Sequence, residues 1–232
     1  MMVSHRIGLL LFPKITQLDL AGPYEVFSRI SGSVVQVHLL WKDTQPLRSE
    51  WGLQLRPDTS FEECPALDVL CVPGGPGVFD LLSDEMVVNA IKSIADRSRF
   101  VTSVCTGSFL LGAAGLLVGR RATSHWASRE LLSEFGAIPA AGRIVVDGNV
   151  ITSGGMTAGI DFGLHIAAEL VGEAAAKEVQ LAMEYDPAPP FNSGNPIVAD
   201  PAIVARFRER IKQRQERRAA VVREAAKRLS VG

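Results

Sequence analysis

The 232-residue sequence is poor in the side chains that hold metals and disulfides, with only three cysteines and four histidines. No C-x-x-C pair and no H-E-x-x-H run occurs, and the histidines do not cluster with the cysteines at ligand spacing. We therefore expect neither a disulfide framework nor a structural zinc site. The sequence likewise predicts no metal and no other cofactor.

Long apolar runs are also missing. Near the N-terminus, residues 7–12 form an apolar run that ends at Pro13 and is too short to span a bilayer. No small-residue cleavage site of the kind found after a secretory signal follows it. We therefore expect a cytoplasmic protein that has no membrane partner.

The formal net charge is only −1, but the C-terminal region is strongly basic. Residues 206–228 carry ten Lys or Arg and three Asp or Glu, and residues 202–229 contain no Gly or Pro. Apolar residues recur there at helical spacing, which predicts one long helix. They are Ile203, Phe207, Ile211, Val222, Ala225 and Leu229. We expect this stripe to dock on a second subunit and so to make a homodimer; packing on the core is the other possibility.

A basic helix at this position could also belong to a DNA-binding region. A helix-turn-helix needs two helices around a short turn, whereas this tail offers a single uninterrupted helix. Its charges are spread around a face that solvent can reach. We therefore expect no nucleic-acid partner.

The rest of the chain alternates strand-length apolar runs with helical patterns, which is typical of a doubly wound, mostly parallel α/β sheet with helices on both faces. The strand runs are RIGLLLF, VVQVHLLW, LDVLCVPGG, RFVTSVC, RIVVDG and NVITSGG. The helical patterns are GPYEVFSRI, VFDLLSDEMVVNAIKSIADRS, TGSFLLGAAGLL and MTAGIDFGLHIAAELVG. Two antiparallel elements are expected, one at PLRSEWGLQLRPD and one at the Asp147-Gly148-Asn149 turn.

The segment YDPAPPFNSGNP is rich in Pro, Gly and Asn, which disfavours regular structure. It separates the α/β pattern from the basic helix. The sequence therefore predicts one α/β domain at residues 1–186, followed by a connector and a C-terminal helix at residues 187–232.

The strongest local signal for chemistry is Ser103-Val104-Cys105-Thr106-Gly107, between a strand run and a helical pattern. Small residues on both sides of the cysteine allow the sharp turn of a nucleophile elbow. A sulfur at a helix N-terminus also meets free N–H groups and the positive end of the dipole, which favour the thiolate. The alternative for Cys105 is a packed cysteine at a strand end.

The other two cysteines are not expected to react. Cys71, within a strand run, is interpreted as a core residue, and Cys64 lies beside acidic residues that disfavour a thiolate.

Several segments together resemble the ThiJ/PfpI, glutamine-amidotransferase-like superfamily, which implies a flavodoxin-like fold. They are QLDLAGP, the strand-end PGG at residues 73–75, CTGS at residues 105–108, AGLLVGRRATSHW and SGGMTAGID. Similar patterns occur in sensor domains of AraC-type regulators and in isocyanide hydratases. The tail, VQLAMEYDPAPPFNSGNP and one long helix, resembles the hydratases and extends the likeness to nearly the whole chain.

The resemblance implies roles for residues that local patterns leave open. Cys105 matches the family nucleophile, and Asp19 matches the acidic residue after the first strand. On local grounds alone, Asp19 reads as the N-cap of a helix that starts at GPYEVF. Thr106 stands where peptidase-like members have histidine, which argues against proteolysis. Its hydroxyl is expected to orient the Asp19 carboxyl or the substrate.

The resemblance also implies a substrate pocket built from glycine-rich turns. The backbone N–H of Gly75 is expected to help form an anion-binding pocket, and the loop that includes Gly155 and Met156 is expected to approach the sulfur. Tight turns alone could also explain these glycines. The role of His125, in ATSHW, stays open, because a histidine beside a tryptophan is more often structural.

An isocyanide has a terminal carbon that accepts a nucleophile and then a proton, so one thiolate and one nearby acid suffice. The expected reaction is attack by Cys105, protonation by Asp19 to give a thioimidate, and hydrolysis to an N-substituted formamide. The alternatives are a glyoxalase-like enzyme that uses the same pair on reactive aldehydes, and a non-catalytic sensor domain related to AraC-type regulators.

Overall fold

The computed structural model describes residues 5–30 and 35–229, and their central feature is a seven-stranded sheet. Its strand order is β10-β11-β7-β6-β1-β2-β5, and every neighbouring pair is parallel except β10 with β11. In chain order the strands are β1 (His5–Leu10), β2 (Val35–Trp41), β3 (Leu47–Arg48), β4 (Gln54–Leu55), β5 (Thr59–Ser60), β6 (Val69–Val72), β7 (Phe100–Val104), β8 (Arg121–Ala122), β9 (Ile138–Pro139), β10 (Ile144–Asp147) and β11 (Val150–Ser153). The predicted doubly wound, mostly parallel sheet is confirmed.

The strand order places a switch point at the centre of the sheet. From β1 the chain moves outward through β2 to β5 and then returns to β6 on the other side of β1. The connections that leave the carboxyl ends of β1 and β6 therefore diverge, which opens a crevice there. The segments that follow β1, β6 and β7 contain Asp19, Gly75 and Cys105 respectively.

Helices cover the sheet, and two short 3-10 helices lie among them. The α-helices are α1 (Gln17–Ser28), α2 (Gly77–Leu81), α3 (Glu85–Ala95), α4 (Ser108–Ala113), α5 (Ala158–Val171), α6 (Glu173–Ala182) and α7 (Pro201–Leu229). The 3-10 helices are Cys105–Gly107 and Arg129–Phe135. The two predicted antiparallel elements are confirmed, since β3 pairs with β4 and β10 pairs with β11 through a turn at Gly148.

The first helix begins earlier than predicted. It starts at Gln17, with Thr16 as N-cap, so Asp19 lies in its first turn and is not the cap of a helix at Gly22. The Gly-Pro pair that suggested a helix start lies inside the helix, and its glycine has a packing role. A Cβ at Gly22 would lie 3.3 Å from the Ile160 side chain, so this glycine lets α1 pack closely on α5.

Two other helices differ from the sequence pattern. The apolar periodicity at residues 78–98 predicted one helix, but the chain forms α2 and α3, and Asp84 caps α3 by accepting the Val87 N–H at 3.2 Å. Helix α6 was not predicted, although Ala176 and Val179 show the helical spacing and are buried. It follows α5 after only Gly172, whose φ of +91° lets the chain turn.

Helix α7 is continuous over 29 residues, as predicted. It packs on α2, on α4 and on the 3-10 helix Arg129–Phe135. Ile211, Val222 and Ala225 are buried within the chain, so this part of the apolar stripe lies on the core and not on another subunit. Within residues 5–30 and 35–229, no helix is both long and apolar enough to cross a bilayer.

Two adjacent valines of α7 test how strongly this helix is held. Val222 is fully buried and Val221 is 38% exposed. We expect Val222→Ala to lower the free energy of unfolding by about 2 kcal/mol, because it removes two buried methyl groups and leaves a cavity. Val221→Ala is the matched control and should cost less than about 0.5 kcal/mol. Equal effects of the two substitutions in urea unfolding would contradict the observed packing of α7.

Candidate active site

Cys105 lies at the turn between β7 and α4 in a strained backbone conformation. Its φ is +56°, a left-handed value that costs a non-glycine residue about 1–3 kcal/mol. The side chain is 6% exposed, so the sulfur is nearly enclosed. A strained residue at a strand-to-helix turn is the geometry of a nucleophile elbow, in agreement with the local sequence pattern.

Hydrogen bonds from distant segments hold this backbone in place. The Cys105 N–H donates to the Gly154 carbonyl at 2.9 Å. The Cys105 carbonyl accepts the Ser124 hydroxyl at 2.9 Å and the Ser108 hydroxyl at 3.3 Å. Gly107 has no room for a larger residue, because an added Cβ would overlap the Val72 carbonyl. The small residue predicted at this position is therefore required by packing.

Asp19 reaches the same crevice from the first turn of α1 and is fully buried. Its Oδ2 accepts the Gly74 N–H at 3.1 Å. Its Oδ1 is buried and has no hydrogen-bond partner within the described part of the chain. One carboxyl oxygen is thus fixed, and the other is free to exchange a proton.

Gly74 is a site residue that the sequence motifs did not single out. A Cβ at this position would lie 2.6 Å from the Thr106 amide nitrogen and 2.7 Å from Asp19 Oδ2. Only glycine lets the β6 turn approach both residues so closely. The paired glycines after the third predicted strand were the available signal, but they did not indicate which one contacts the acid.

Thr106 and Gly75 make a different contact from the ones expected. The Gly75 N–H donates to Thr106 Oγ1 at 3.0 Å, so it is already engaged and does not face an open anion pocket. The Thr106 hydroxyl also lies 3.4 Å from the Gly75 carbonyl and makes no hydrogen bond to Asp19. Thr106 therefore binds the turn after β6 to the elbow. The same turn holds the Asp19 carboxyl through the Gly74 N–H.

The two acidic groups of the crevice change each other's proton affinity. Burial raises the pKa of Asp19 to about 7, although the Cys105 thiol and the Gly74 N–H oppose this rise. Burial and then the charge of Asp19 raise the pKa of Cys105 well above its usual value, while the Thr106 N–H acts in the opposite direction. The groups therefore titrate as a coupled pair, in which one ionised member disfavours ionisation of the other.

The loop after β11 lies against the backbone of the elbow. Gly154 accepts the Cys105 N–H, and Gly155 sits beside His125, whose Cδ2 would be 3.2 Å from an added Cβ. Met156 follows at the N-terminal end of α5 and is 43% exposed. Its side chain is therefore partly open to solvent at the edge of the site.

His125 has the contacts of a neutral structural residue. Its ring stacks on Trp126 with 5.9 Å between centroids, and its Nδ1 accepts the Ala127 N–H at 3.3 Å. Burial, together with a smaller effect of the nearby Arg218 and Arg214, lowers its pKa to about 4. A histidine with this pKa is uncharged at neutral pH.

The other two cysteines have the surroundings of structural residues. Cys71 is fully buried in β6, where burial raises its pKa to about 12, as expected for a core residue. Burial also raises the pKa of Cys64. Among the described residues, no group of three or more His, Cys, Asp or Glu side chains is arranged to hold a metal ion.

A polar cleft of about 450 Å³ lies elsewhere, at the β2–β5 edge of the sheet. Its lining residues are Arg6, Gln36, His38, Asp58, Thr59, Glu63 and Pro65. Within it the Thr59 hydroxyl donates to Asp58 at 2.7 Å and lies 3.0 Å from His38 Nδ1, but the cleft contains neither a cysteine nor a residue of the switch-point turns. The Cys105 crevice at the switch point is therefore the better candidate for an active site.

Residues 5–169 match the DJ-1/PfpI family, and this segment contains all of the site residues described above. The chain belongs to the DJ-1/PfpI family. The predicted resemblance is confirmed, and helix α7 lies outside the segment that matches the family.

Proteins that match nearly the full length extend the relationship beyond the family domain. The isonitrile hydratase of Pseudomonas putida is 54% identical over 229 residues, which cover 99% of this chain and 100% of that protein. A ThiJ/PfpI family protein from Pseudomonas syringae has a crystal structure with a TM-score of 0.91 and 39% identity, covering 95% of this chain and 91% of that one.

A regulator shares only part of its length with this chain. The HTH-type transcriptional regulator GbdR of Pseudomonas aeruginosa is 32% identical over 183 residues, which are 76% of this chain but 48% of the regulator. In this DJ-1/PfpI protein, α7 is one helix and does not have the two-helix pattern of a helix-turn-helix.

The raised pKa of Asp19 predicts a pH-dependent stability. Unfolding returns the carboxyl from a pKa of about 7 to about 3.8, so the folded state holds the proton more tightly. The stability that this proton provides is present at low pH and is lost as pH rises from about 4 to 7. We expect the wild-type advantage in unfolding free energy over Asp19→Asn to fall by up to about 4 kcal/mol across this range.

The exposed Asp186 supplies the control, because Asp186→Asn should leave the pH dependence of wild type unchanged. Urea unfolding at several pH values measures all three proteins. A wild-type difference from Asp19→Asn that does not change with pH would contradict the raised pKa.

Proposed function

We propose that this protein hydrates isocyanides to N-substituted formamides, with Cys105 as nucleophile and Asp19 as general acid and base. The observation that carries the proposal is that a buried thiol and a buried carboxyl with one unbonded oxygen lie in the same crevice and change each other's proton affinity. The near full-length similarity to an isonitrile hydratase supports the same reaction.

The first step needs a thiolate and a protonated acid side by side. The Cys105 sulfur attacks the terminal carbon of the isocyanide and forms a C–S bond. The proton on Asp19 passes to the same carbon, which gives a thioimidate and leaves Asp19 as a carboxylate. The free Oδ1 atom is the suitable donor, because Oδ2 is held by Gly74.

The second step uses the carboxylate as a base. Asp19 takes a proton from water while the hydroxyl adds to the thioimidate carbon, and the proton then passes to the nitrogen. Asp19 next accepts the hydroxyl proton as the C–S bond breaks, which releases the formamide. The enzyme returns to a Cys105 thiolate and an Asp19 carboxylic acid, and the net reaction adds one water.

Thr106, Gly75, Gly155 and Met156 support this reaction in different ways. The Thr106 N–H stabilises the thiolate, and the Thr106 hydroxyl holds the Gly75 turn. The Gly155 turn borders the site, and Met156 lies at its exposed edge. We assign these residues to the positioning of the pair and to the border of the substrate pocket.

A glyoxalase-like reaction on reactive aldehydes is the second candidate. The same pairing of a buried cysteine and an acid could perform it. The glutathione-independent glyoxalase DJR-1.2 of Caenorhabditis elegans is 26% identical over 178 residues, which are 74% of this chain. The similarity is lower and covers less of the chain than that to the isonitrile hydratase, so this activity ranks second.

Formamide formation from a simple alkyl isocyanide tests the main proposal. We expect turnover by wild type, and a loss of kcat/KM of at least about 100-fold in both Cys105→Ala and Asp19→Asn, since each removes a group that acts in the transition state. Cys64→Ala is the matched control, because it removes a thiol outside the site.

A methylglyoxal assay on the same four proteins separates the two candidates. Turnover of methylglyoxal with no formamide production would replace the hydratase with the glyoxalase-like reaction. Inactivity on both substrates would favour a non-catalytic sensor domain.

A reducing compartment suits this chemistry. The three cysteines are unpaired, and the mechanism requires Cys105 as a free thiolate. The reducing systems of the cytosol keep such thiols reduced. We therefore assign the protein to the cytoplasm.

A homodimer is supported by apolar side chains that the single chain leaves uncovered around the connector and the start of α7. Phe191 is 78% exposed and Ile197 is 83% exposed, and Val198 and Ile203 are also exposed.

We expect sedimentation equilibrium to give twice the chain mass of 25.0 kDa. Phe191→Ser combined with Ile197→Ser should weaken association at least tenfold, since two large apolar contacts are lost. Leu181→Ser changes an exposed leucine outside this patch and is the control, and a monomeric wild type would reject the proposal.

A further inference from the structure

An arginine of the C-terminal helix lies close to the nucleophile. Arg218 of α7 is half-buried, and its guanidinium carbon is 4.4 Å from the centroid of the Phe79 ring. Its Nη1 is 3.3 Å from the Ser128 hydroxyl oxygen, which also contacts Gln215 at 3.0 Å. These contacts fix the position of the charge.

Both contacts of Arg218 belong to segments that adjoin the elbow. Phe79 packs on Phe109 of α4, with 5.4 Å between ring centroids, and α4 directly follows the 3-10 helix that contains Cys105. Ser128 lies four residues after Ser124, whose hydroxyl donates to the Cys105 carbonyl. The positive charge of Arg218 is close enough to the Cys105 thiol to lower its pKa against the larger effect of burial.

A glutamate is held next to the turn of α1 that carries Asp19. Glu50 accepts the Thr16 hydroxyl at 3.1 Å, and its backbone N–H donates to the Ile15 carbonyl at 2.9 Å. Thr16 is the N-cap of α1, and its carbonyl accepts the Asp19 N–H at 3.0 Å. Glu50 is thereby fastened to the turn of helix that carries Asp19, and its negative charge adds to the effect of burial in raising the pKa of Asp19.

We propose that Arg218 and Glu50 are two outer charges that shift the shared proton of the pair from Cys105 towards Asp19 and so raise the fraction of the Cys105 thiolate. A pair with one proton has two forms, thiol with carboxylate and thiolate with carboxylic acid. Moving the proton from sulfur to oxygen changes no net charge, but it places the negative charge near Arg218 and removes it from the neighbourhood of Glu50. Both outer charges therefore favour the form in which the first step begins.

The other charged groups near the pair do not cancel this effect. His125 is neutral at pH 7, because burial lowers its pKa to about 4. Arg214 is exposed to solvent on α7 and adds positive charge on the side of Arg218. Arg218 itself stays protonated, since burial and Arg214 lower its pKa only to about 10.

This role explains what α7 adds to the site. The helix lies outside residues 5–169, which match the family, so the cation comes from a part of the chain beyond that segment. Arg218 and Glu50 are positioning residues, because they act through the Cys105–Asp19 pair. The use of this pair in isocyanide hydration rests on the proposed function, but the proton's location does not.

The alkylation rate of Cys105 by iodoacetamide measures the thiolate without any isocyanide. Peptide mass analysis distinguishes Cys105 from Cys64 and Cys71. At neutral pH, Arg218→Met should slow alkylation by about 3- to 10-fold, which corresponds to a rise of up to about one unit in the apparent thiol pKa. Arg218→Lys, which keeps the charge, should stay within about twofold of wild type.

Arg217 provides the matched control, because it is the next arginine of the same helix and is exposed. Arg217→Gln should have the pH profile of wild type. If Arg218→Met matches this control, or if Arg218→Lys folds normally but is as slow as Arg218→Met, the charge assignment is overturned. A wild type that reacts with iodoacetamide but hydrates no isocyanide would reject only the proposed function.

Glu50 is tested by infrared spectroscopy of the carboxylic-acid C=O band. The Asp19 band is identified by its absence in Asp19→Asn. Glu50→Gln keeps an oxygen that can accept the Thr16 hydroxyl but removes the charge, so this band should weaken at neutral pH. A band of unchanged intensity would overturn the role of Glu50.

Discussion

The electrostatic coupling between the Cys105 thiol and the Asp19 carboxyl is the constraint on which the rest of the structure depends. Two acidic groups enclosed together cannot both ionise easily, so they hold one proton between them near neutral pH. Such a pair cannot be built from one segment. It forms because the turns after β1 and β7 meet at the switch point of the sheet, with the β6 turn between them.

The turn after β6 lets Asp19 and the elbow come close together, because its glycines have no side chains. Gly74 comes so close to both Asp19 and Thr106 that a single methyl group would separate them. Its N–H then fixes one carboxyl oxygen and leaves the other free. The strain at Cys105 is sustained in the same way, because hydrogen bonds from Gly154 and Ser124 hold a backbone conformation that the residue would not adopt alone.

The C-terminal helix links stability to chemistry. Val222 and Ala225 bury its apolar side on the core, and the same docking brings Arg218 over Phe79. The basic composition of this region, which on the sequence alone raised the question of DNA binding, therefore includes one arginine with a defined place beside the nucleophile. The remaining arginines of the helix lie mostly on its solvent face.

The sequence by itself determined the sheet, both antiparallel turns, the elbow at Cys105 and the uninterrupted α7, because each depends on local periodicity or on turn residues that are close together in the chain. The family resemblance added Asp19. Only the tertiary structure decided that α1 begins at Gln17, that Gly74 and not Gly75 holds the acid, and that Thr106 binds Gly75. It alone placed Arg218 against Phe79 and Ser128 and placed Glu50 against Thr16. These features depend on contacts between residues tens of positions apart. A local sequence pattern does not specify which distant turn will contact it.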